Sequence, residues 1–151
     1  MIEVRGNLWT FPADVRVITT NGSIKNDAIA VMGRGCAAEA AKQWPDLPIE
    51  LGTLLREGGN YCYHLKSIAM PTEREGILKY WELWSMPVKR QWWERADMEL
   101  IRQSAIDLAA QTANKWVVLP RPGCGNGHLK WEDVKPILEP ILDDRFHVIT
   151  F

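Results

Sequence analysis

Residues 119–131 read Leu-Pro-Arg-Pro-Gly-Cys-Gly-Asn-Gly-His-Leu-Lys-Trp. This segment joins a predicted strand to a predicted helix and is the strongest indication of the fold. The apolar run at residues 116–119 predicts a buried strand, and a helix is expected from about Trp131, with Glu132 and Asp133 in its first turn. A glycine-rich turn between a strand and a helix faces the unpaired amides and the positive dipole end of that helix. The stretch is therefore a candidate site for an anion.

A second glycine-rich loop lies at residues 30–37, Ala-Val-Met-Gly-Arg-Gly-Cys-Ala, and leads into an Ala-rich segment that predicts a helix over residues 35–44. Two such loops can hold two linked phosphates, because glycine permits close approach and positive φ. Taken alone, each loop is also compatible with a tight strand–helix turn. Neither is a Walker loop or a G-x-G-x-x-G after the first strand, which disfavours those nucleotide sites. The candidate ligand-binding residues of the two loops are Val31, Met32, Gly33, Arg34, Gly35, Cys36, Ala37, Pro122, Gly123, Cys124, Gly125, Asn126, Gly127 and His128.

The order of the predicted elements indicates an α/β fold. Strands are expected at residues 2–5, 15–20, 61–65, 67–70, 79–85, 116–119 and 146–151. Helices are expected at residues 35–44, 97–112 and from 131, and a charged loop at residues 72–76. Strands that alternate with helices predict a mostly parallel sheet covered on both faces, which binds ligands at the carboxyl ends of its strands. Both glycine-rich loops fall there, and we expect a single domain over residues 1–151.

The composition narrows the class of protein. Hydrophobic residues make up 46% of the chain and charged residues 25%, as in soluble globular proteins, and the net charge of -1 argues against nonspecific nucleic-acid binding. Cys36, Cys62 and Cys124 form no C-x-x-C pair, which indicates reduced thiols in a cytoplasmic protein, no metal site and no cofactor. No apolar run approaches the roughly 20 residues needed to cross a bilayer, so no membrane association is expected. Most of the eight Trp residues are expected to pack, while one or two are candidates to line a pocket for a base or sugar.

Three segments resemble those of macrodomains, and the resemblance covers nearly the whole chain. Residues 31–37 resemble the family's V-M-G-x-G-x-A loop, and residues 119–134 resemble its P-x-x-G-C-G-x-G-G-L-x-W-x-x-V segment. Residues 14–21 resemble the family's strand in which Asp precedes an aliphatic run that ends in Asn. The resemblance implies a three-layer α/β/α macrodomain-like fold with a central mixed, mostly parallel sheet, and ADP-ribose as the ligand. It also implies that Asp14 accepts from the adenine amine and that Asn21 binds the distal ribose, although Asp14 also fits a strand cap and Asn21 a turn with Gly22.

Residues 86–92, Met-Pro-Val-Lys-Arg-Gln-Trp, resemble the P-T-K-x-x-W segment of one macrodomain branch. That branch contains the DNA ADP-ribosyl glycohydrolase antitoxins and the terminal ADP-ribose glycohydrolases that act on acidic side chains. The resemblance implies an ADP-ribosyl hydrolase in which Lys89 is the catalytic residue at the anomeric carbon. Burial near the tryptophans and the charge of Arg90 are expected to lower the pKa of Lys89, as a nucleophile requires.

The chain departs from the family patterns in three places. Val88 replaces a Thr, His128 replaces a Gly in the second loop, and an insertion at residues 22–29 lengthens the connection after Asn21. Two alternatives therefore stay open: a non-catalytic module that binds ADP-ribose or another NAD derivative, and a phosphatase of ADP-ribose 1″-phosphate. The expected partner is ADP-ribose or an ADP-ribosylated macromolecule, DNA or protein.

Overall fold

The computed structural model describes residues 1–70 and 79–151, so the predicted loop at residues 72–76 lies outside the described residues. The strands within those ranges are β1 (Ile2–Arg5), β2 (Val15–Asn21), β3 (Tyr63–Met70), β4 (Lys79–Lys89), β5 (Val117–Pro120) and β6 (Phe146–Thr150). The helices are α1 (Gly35–Gln43), α2 (Leu47–Gly58), α3 (Met98–Gln111) and α4 (Trp131–Leu138). None of these helices is long and apolar enough to span a membrane.

The strands form one mixed sheet in the order β1-β6-β5-β2-β4-β3. Every neighbouring pair from β1 to β4 is parallel, and β3 alone among the described strands runs antiparallel, against β4. Parallel neighbours need crossover connections, and helices supply most of them. The prediction of a mixed, mostly parallel sheet is confirmed.

Helices cover both faces of this sheet. On β2, Val15 and Val17 pack in one cluster with Ile101 and Leu108 of α3. Ile18 packs in a different cluster with residues of α1 and α2. Side chains of a strand alternate between faces, so a strand buried on both sides is apolar almost throughout. These contacts confirm the predicted three-layer α/β/α arrangement.

Helix α2 was not predicted from the sequence, which led us to expect that Pro45 ends the helical segment. A second helix begins at Leu47 and has Pro48 in its first turn, where a missing amide hydrogen costs no intrahelical bond. Leu47, Leu51 and Leu55 are buried at helical spacing against the same cluster as α1. Pro45 therefore separates two helices.

The strands before α3 also differ from the prediction. The two strands expected at residues 61–65 and 67–70 are one strand, β3, with a register shift between His64 and Lys66. Strand β4 continues past its predicted end at residue 85 to Lys89. The extension brings Lys89 to the carboxyl end of β4, where it pairs with Asn21 at the end of β2 after a register shift.

Candidate functional site

A cavity of about 820 Å³ opens at the carboxyl ends of β2, β4 and β5. Both glycine-rich loops line it, as the position of ligand sites in parallel sheets predicts. The predicted site residues in its wall are Asn21, Val31, Met32, Gly33, Arg34, Gly35, Cys36, Ala37, Lys89, Gly123, Gly125, Asn126, Gly127 and His128. The wall does not include Asp14, Pro122 or Cys124.

The first glycine-rich loop turns from the sheet into α1 at the edge of the cavity. Gly35 begins the helix with φ of 61°, a left-handed conformation that favours glycine. A Cβ at Gly33 would meet no atom within 4 Å, so the main chain there faces open space. A Cβ at Gly35 would lie 3.1 Å from Nδ2 of Asn126, which shows that the two loops meet at this point.

The second glycine-rich loop is a compact turn between β5 and α4. Gly123 has φ of 74°, and its carbonyl accepts from the amide of Leu129 at 2.9 Å. A Cβ at Gly127 would lie 2.4 Å from the carbonyl oxygen of Gly123, whereas a Cβ at Gly125 would meet no atom within 4 Å. His128 has φ of 62°, a left-handed conformation that is uncommon for a residue with a side chain. The position at which the family carries Gly is therefore left-handed in this chain.

The cysteines in the loops are packing residues. The Sγ of Cys36 accepts from the amide of Thr19 at 3.4 Å, and the thiol of Cys124 donates to the carbonyl of Pro122 at 3.4 Å. Burial raises the pKa of both thiols, so they stay protonated at neutral pH. Within residues 1–70 and 79–151, no group of three or more His, Cys, Asp or Glu side chains could hold a metal ion.

Lys89 is half-buried in the cavity wall. Its Nζ donates to the carbonyl oxygen of Trp92 at 3.3 Å. Burial lowers the pKa of Lys89, and the positive charge of Arg34 lowers it further. The sequence had led us to assign this charge effect to Arg90, but the Nε of Arg90 pairs with Oδ2 of Asp97 at 3.1 Å. The relevant like charge therefore comes from the first glycine-rich loop.

Asn21 connects the end of β2 to that loop. Its Nδ2 donates to the carbonyl of Val31 at 3.0 Å, and its Oδ1 accepts from the amide of Ser23 at 2.9 Å, which forms an Asx turn. An amide nitrogen carries two hydrogens, so one of them is left for a ligand. The turn and the predicted ribose contact are thus compatible, and both put Asn21 beside Lys89.

The loop at residues 90–97 closes one side of the cavity. The sequence predicted a role near Lys89 for Arg90 and the tryptophans, but none for Glu94 or Arg95. The amide of Trp92 donates to the hydroxyl of Ser23 at 2.9 Å. At the other end, Nη2 of Arg95 donates to the carbonyl of His128 at 2.9 Å. The loop therefore bridges the segment after β2 and the second glycine-rich loop. The sequence feature that could have indicated a role for this loop is the pair Trp92 and Trp93 between Arg90 and Arg95.

Asp14 lies at the opposite edge of the sheet from the cavity. It comes directly before β2, and the seven residues of that strand put it about 20 Å from the carboxyl end. Its Oδ2 accepts from the amide of Trp116 at 2.8 Å, which joins the starts of β2 and β5. The geometry supports the strand-cap role for Asp14, and it does not bring the residue to the predicted adenine position.

The cavity wall carries a positive charge that the chain as a whole lacks. The net charge of the chain is -1. The cations in the wall are Lys25, Arg34, Lys89, Arg95 and Arg121, against one carboxylate, Glu94. Side chains therefore add to the positive field of the loop amides at this edge of the sheet.

No family model matches the chain, but individual proteins do. It is 28% identical over 149 residues to a DNA ADP-ribosyl glycohydrolase of Thermus aquaticus, which covers 93% of this chain and 37% of that protein. The chain thus spans about a third of the length of this curated relative.

Two solved structures have folds similar to that of this chain. The macrodomain of Mycobacterium tuberculosis DarG superposes with a TM-score of 0.71 at 25% identity, over 98% of this chain and 95% of that one. Thermosipho africanus DarTG in complex with ADP-ribose superposes with a TM-score of 0.74 at 17% identity, over 98% of this chain and 41% of that one. These likenesses confirm the resemblance inferred from the sequence: the chain has the macrodomain fold and is similar to the DNA ADP-ribosyl glycohydrolase branch.

Proposed function

We propose that the chain binds ADP-ribose and hydrolyses its bond to a modified macromolecule, with DNA as the target. The observation that carries the proposal is that both glycine-rich loops and Lys89 line one cavity. The similarity to the Thermus aquaticus protein, a DNA ADP-ribosyl glycohydrolase, supports DNA over protein.

The diphosphate lies between the two loops in this proposal. Gly33 and Gly125 present main chain to open space, so phosphate oxygens can come within hydrogen-bonding distance of the amides. Arg34 and Arg121, one from each loop region, stand in the same wall and can pair with the two negative charges.

The distal ribose lies over the ends of β2 and β4. Asn21 pairs with Lys89 there after a register shift, and both line the cavity, which puts an amide and an amine close together. Fixing the ribose between these groups and the loops supplies orientation, a large part of the barrier for such a reaction.

The adenine lies at the other end of the diphosphate, over the ends of β6 and β1. A second groove there is lined by Glu3, Val4, Arg5, Arg121, Thr150 and Phe151, and Arg121 is common to it and the main cavity. The ring of Phe151 in this groove offers a flat apolar face for a base. In this proposal the adenine contacts the groove and not Asp14.

Lys89 acts on the anomeric carbon in one of two ways. Its neutral amine attacks that carbon, the bond to the target breaks, and water then displaces the amine; or Lys89 stabilises the charge that develops there while water attacks. In both cases a carbon–oxygen bond to water replaces the bond to the target, and the target takes up the proton. The lowered pKa of Lys89 favours the nucleophile, because only the neutral amine has a lone pair.

The test is release of ADP-ribose from a modified single-stranded oligonucleotide by the wild-type chain and by Lys89→Ala. We expect the variant to lose turnover and to keep its affinity for free ADP-ribose within a few-fold. Lys89→Arg keeps the charge but supplies no nucleophile, so its residual activity separates the two mechanisms. Lys42→Ala, on the exposed side of α1, is the matched control. Unchanged turnover in Lys89→Ala would contradict the proposal.

A second candidate is a module that binds ADP-ribose without cleaving it. Val88 is buried beside Lys89. The branch carries Thr at this position, so this chain lacks the Thr hydroxyl next to the lysine. This reading predicts saturable ADP-ribose binding by calorimetry and no product from modified DNA or modified acidic side chains. A phosphatase would instead release phosphate from ADP-ribose 1″-phosphate, and the same preparations test it.

The expected cytoplasmic location also stays a proposal. The three cysteines of the chain are free thiols, which supports a reducing compartment.

A further inference from the structure

Two of the eight tryptophans, Trp92 and Trp93, have side chains without an aromatic, cationic or hydrogen-bonding partner among the described residues. Both line the cavity, and they are 53% and 68% exposed. The other six each contact a ring, a cation or a carboxylate: Trp9, Trp44, Trp81, Trp84, Trp116 and Trp131. Large apolar surface left open beside a ligand site is typical of a binding surface.

The main chain beneath these two indoles is held in place. The amide of Trp92 donates to the hydroxyl of the buried Ser23 at 2.9 Å. Three residues further on, Arg95 is tied to the second glycine-rich loop. A rigid backbone lets exposed aromatic rings bind a partner without a large loss of conformational entropy.

The pair shares the cavity wall with several cations. Lys25, Arg34, Lys89 and Arg95 stand in the same wall, and Glu94 is the one carboxylate among the wall residues. Exposed aromatic rings among cations are the features with which proteins hold single-stranded nucleic acid, the rings stacking on bases and the cations pairing with phosphates. An acidic peptide would use the cations but has no flat groups for the two indoles.

We propose that Trp92 and Trp93 form a stacking platform for a base next to the ADP-ribosylated nucleotide of a single-stranded DNA. The inference rests on the proposed function and adds the contact that selects a DNA target over a protein. The ADP-ribose lies in the cavity, and the neighbouring nucleotide leaves it across the indoles. Affinity for the modified strand therefore depends on the bases beside the modification.

The experiment measures binding by fluorescence anisotropy in the Lys89→Ala background, so that the substrate is not consumed. The probes are free ADP-ribose, an oligonucleotide with one ADP-ribosylated nucleotide between ordinary neighbours, and the same oligonucleotide with abasic neighbours. We expect Trp93→Ala, and separately Trp92→Ala, to weaken binding of the first oligonucleotide about tenfold. Binding of the other two probes should change by less than about threefold. Trp116→Ala removes a similarly exposed indole at the opposite edge of the sheet and should change none of them.

Each contrary outcome identifies what is wrong. Equal losses on all three probes would place the indoles on ADP-ribose itself and overturn the platform. Wild-type affinity for the flanked oligonucleotide in both variants would also overturn it. The same tenfold loss on a peptide ADP-ribosylated at an acidic side chain would assign the platform to protein targets. If free ADP-ribose does not bind in the first place, the proposed function fails and not the platform alone.

Discussion

Replacing Gly125 with Ala should make the ligand-free protein more stable and its ligand binding weaker. A methyl group at this position meets no atom within 4 Å, and Gly125 is not among the glycines with positive φ. Alanine then fits the folded main chain and reduces the freedom of the unfolded chain, worth about 0.4–1 kcal/mol. For a chain of this length the gain corresponds to a rise in Tm of about 1–4 °C.

The same methyl group occupies the space through which a phosphate would reach the loop amides. Loss of one hydrogen bond to a charged group costs about 1.5–3 kcal/mol, which is roughly a 10- to 100-fold loss of ADP-ribose affinity. Thermal denaturation without ligand and calorimetric titration with ADP-ribose measure the two effects separately. Gly33→Ala should behave in the same way, since the methyl group would also meet open space there.

Gly127→Ala is the contrasting variant in the same loop. Its methyl group would lie 2.4 Å from the carbonyl oxygen of Gly123, so it should destabilise the fold by about 1–3 kcal/mol. The reasoning is refuted if Gly125→Ala keeps wild-type affinity for ADP-ribose, because the amides of that loop would then not approach the ligand. A fall in Tm for Gly125→Ala would show that the apparent open space is needed by the fold.

Three further outcomes follow from the same geometry. If the neutral amine of Lys89 is the nucleophile, kcat/KM should rise with pH along a limb that lies below the ordinary lysine pKa of 10.5, and Arg34→Ala should move that limb to higher pH because a neighbouring positive charge is removed; an unmoved limb would assign it to another group. His128→Gly should raise the free energy of unfolding by about 0.5–1 kcal/mol in urea denaturation, since φ of 62° strains a side-chain-bearing residue, while a loss would show that the imidazole supports the loop. Asp97→Ala removes the N-cap of α3, whose carboxylate accepts from the amide of Leu100 at 3.0 Å, and should cost about 1 kcal/mol. The pKa of the Asp97 carboxyl is lowered in the fold, so this contribution is present above the carboxyl's unfolded pKa and is lost as the pH falls through the folded value; the two proteins should therefore converge in acid.

The sequence predicted the central strands well because their signal is local. Val15, Val17 and Ile18 are all fully buried, so the run on β2 had to be apolar on both faces and could be recognised without knowing its neighbours. Helix α2 was missed although Leu47 and Leu51 have helical spacing. Pro45 ends α1 and lies just before the start of α2. A proline alone does not indicate whether a loop or a second helix comes after it.

The position of Asp14 follows from the direction of a strand that the sequence already predicts. Ligands lie at the carboxyl ends of parallel strands, and Asp14 stands before the first residue of β2, whereas Asn21 is its last. The structure therefore supports the strand-cap role of Asp14, and the adenine contact that the resemblance implies stays a prediction.

The partners of Lys89 could not be read from the sequence at all. The Arg next to it in the chain, Arg90, pairs with Asp97, the cap of α3, while the more distant Arg34 lines the same cavity as Lys89 and lowers its pKa. Neighbours in a strand point to opposite faces, so adjacency in sequence is a poor guide to electrostatic contact. The motif identified the residue, and the fold alone identified its electrostatic surroundings.

The positive charge of the cavity wall also results from the fold and could not be read from the sequence. A net charge of -1 argues correctly against a basic field over the whole surface, but it does not describe one edge of the sheet. Five cations from separate segments of the chain converge on the cavity wall, and most of the acidic side chains lie elsewhere. Binding that depends on this local field and on specific amides should therefore fall with salt for a modified oligonucleotide, while unmodified single strands bind weakly at every salt concentration. Tight, salt-dependent binding of unmodified strands would show that the wall acts as a general nucleic-acid surface and that ADP-ribose does not select the target.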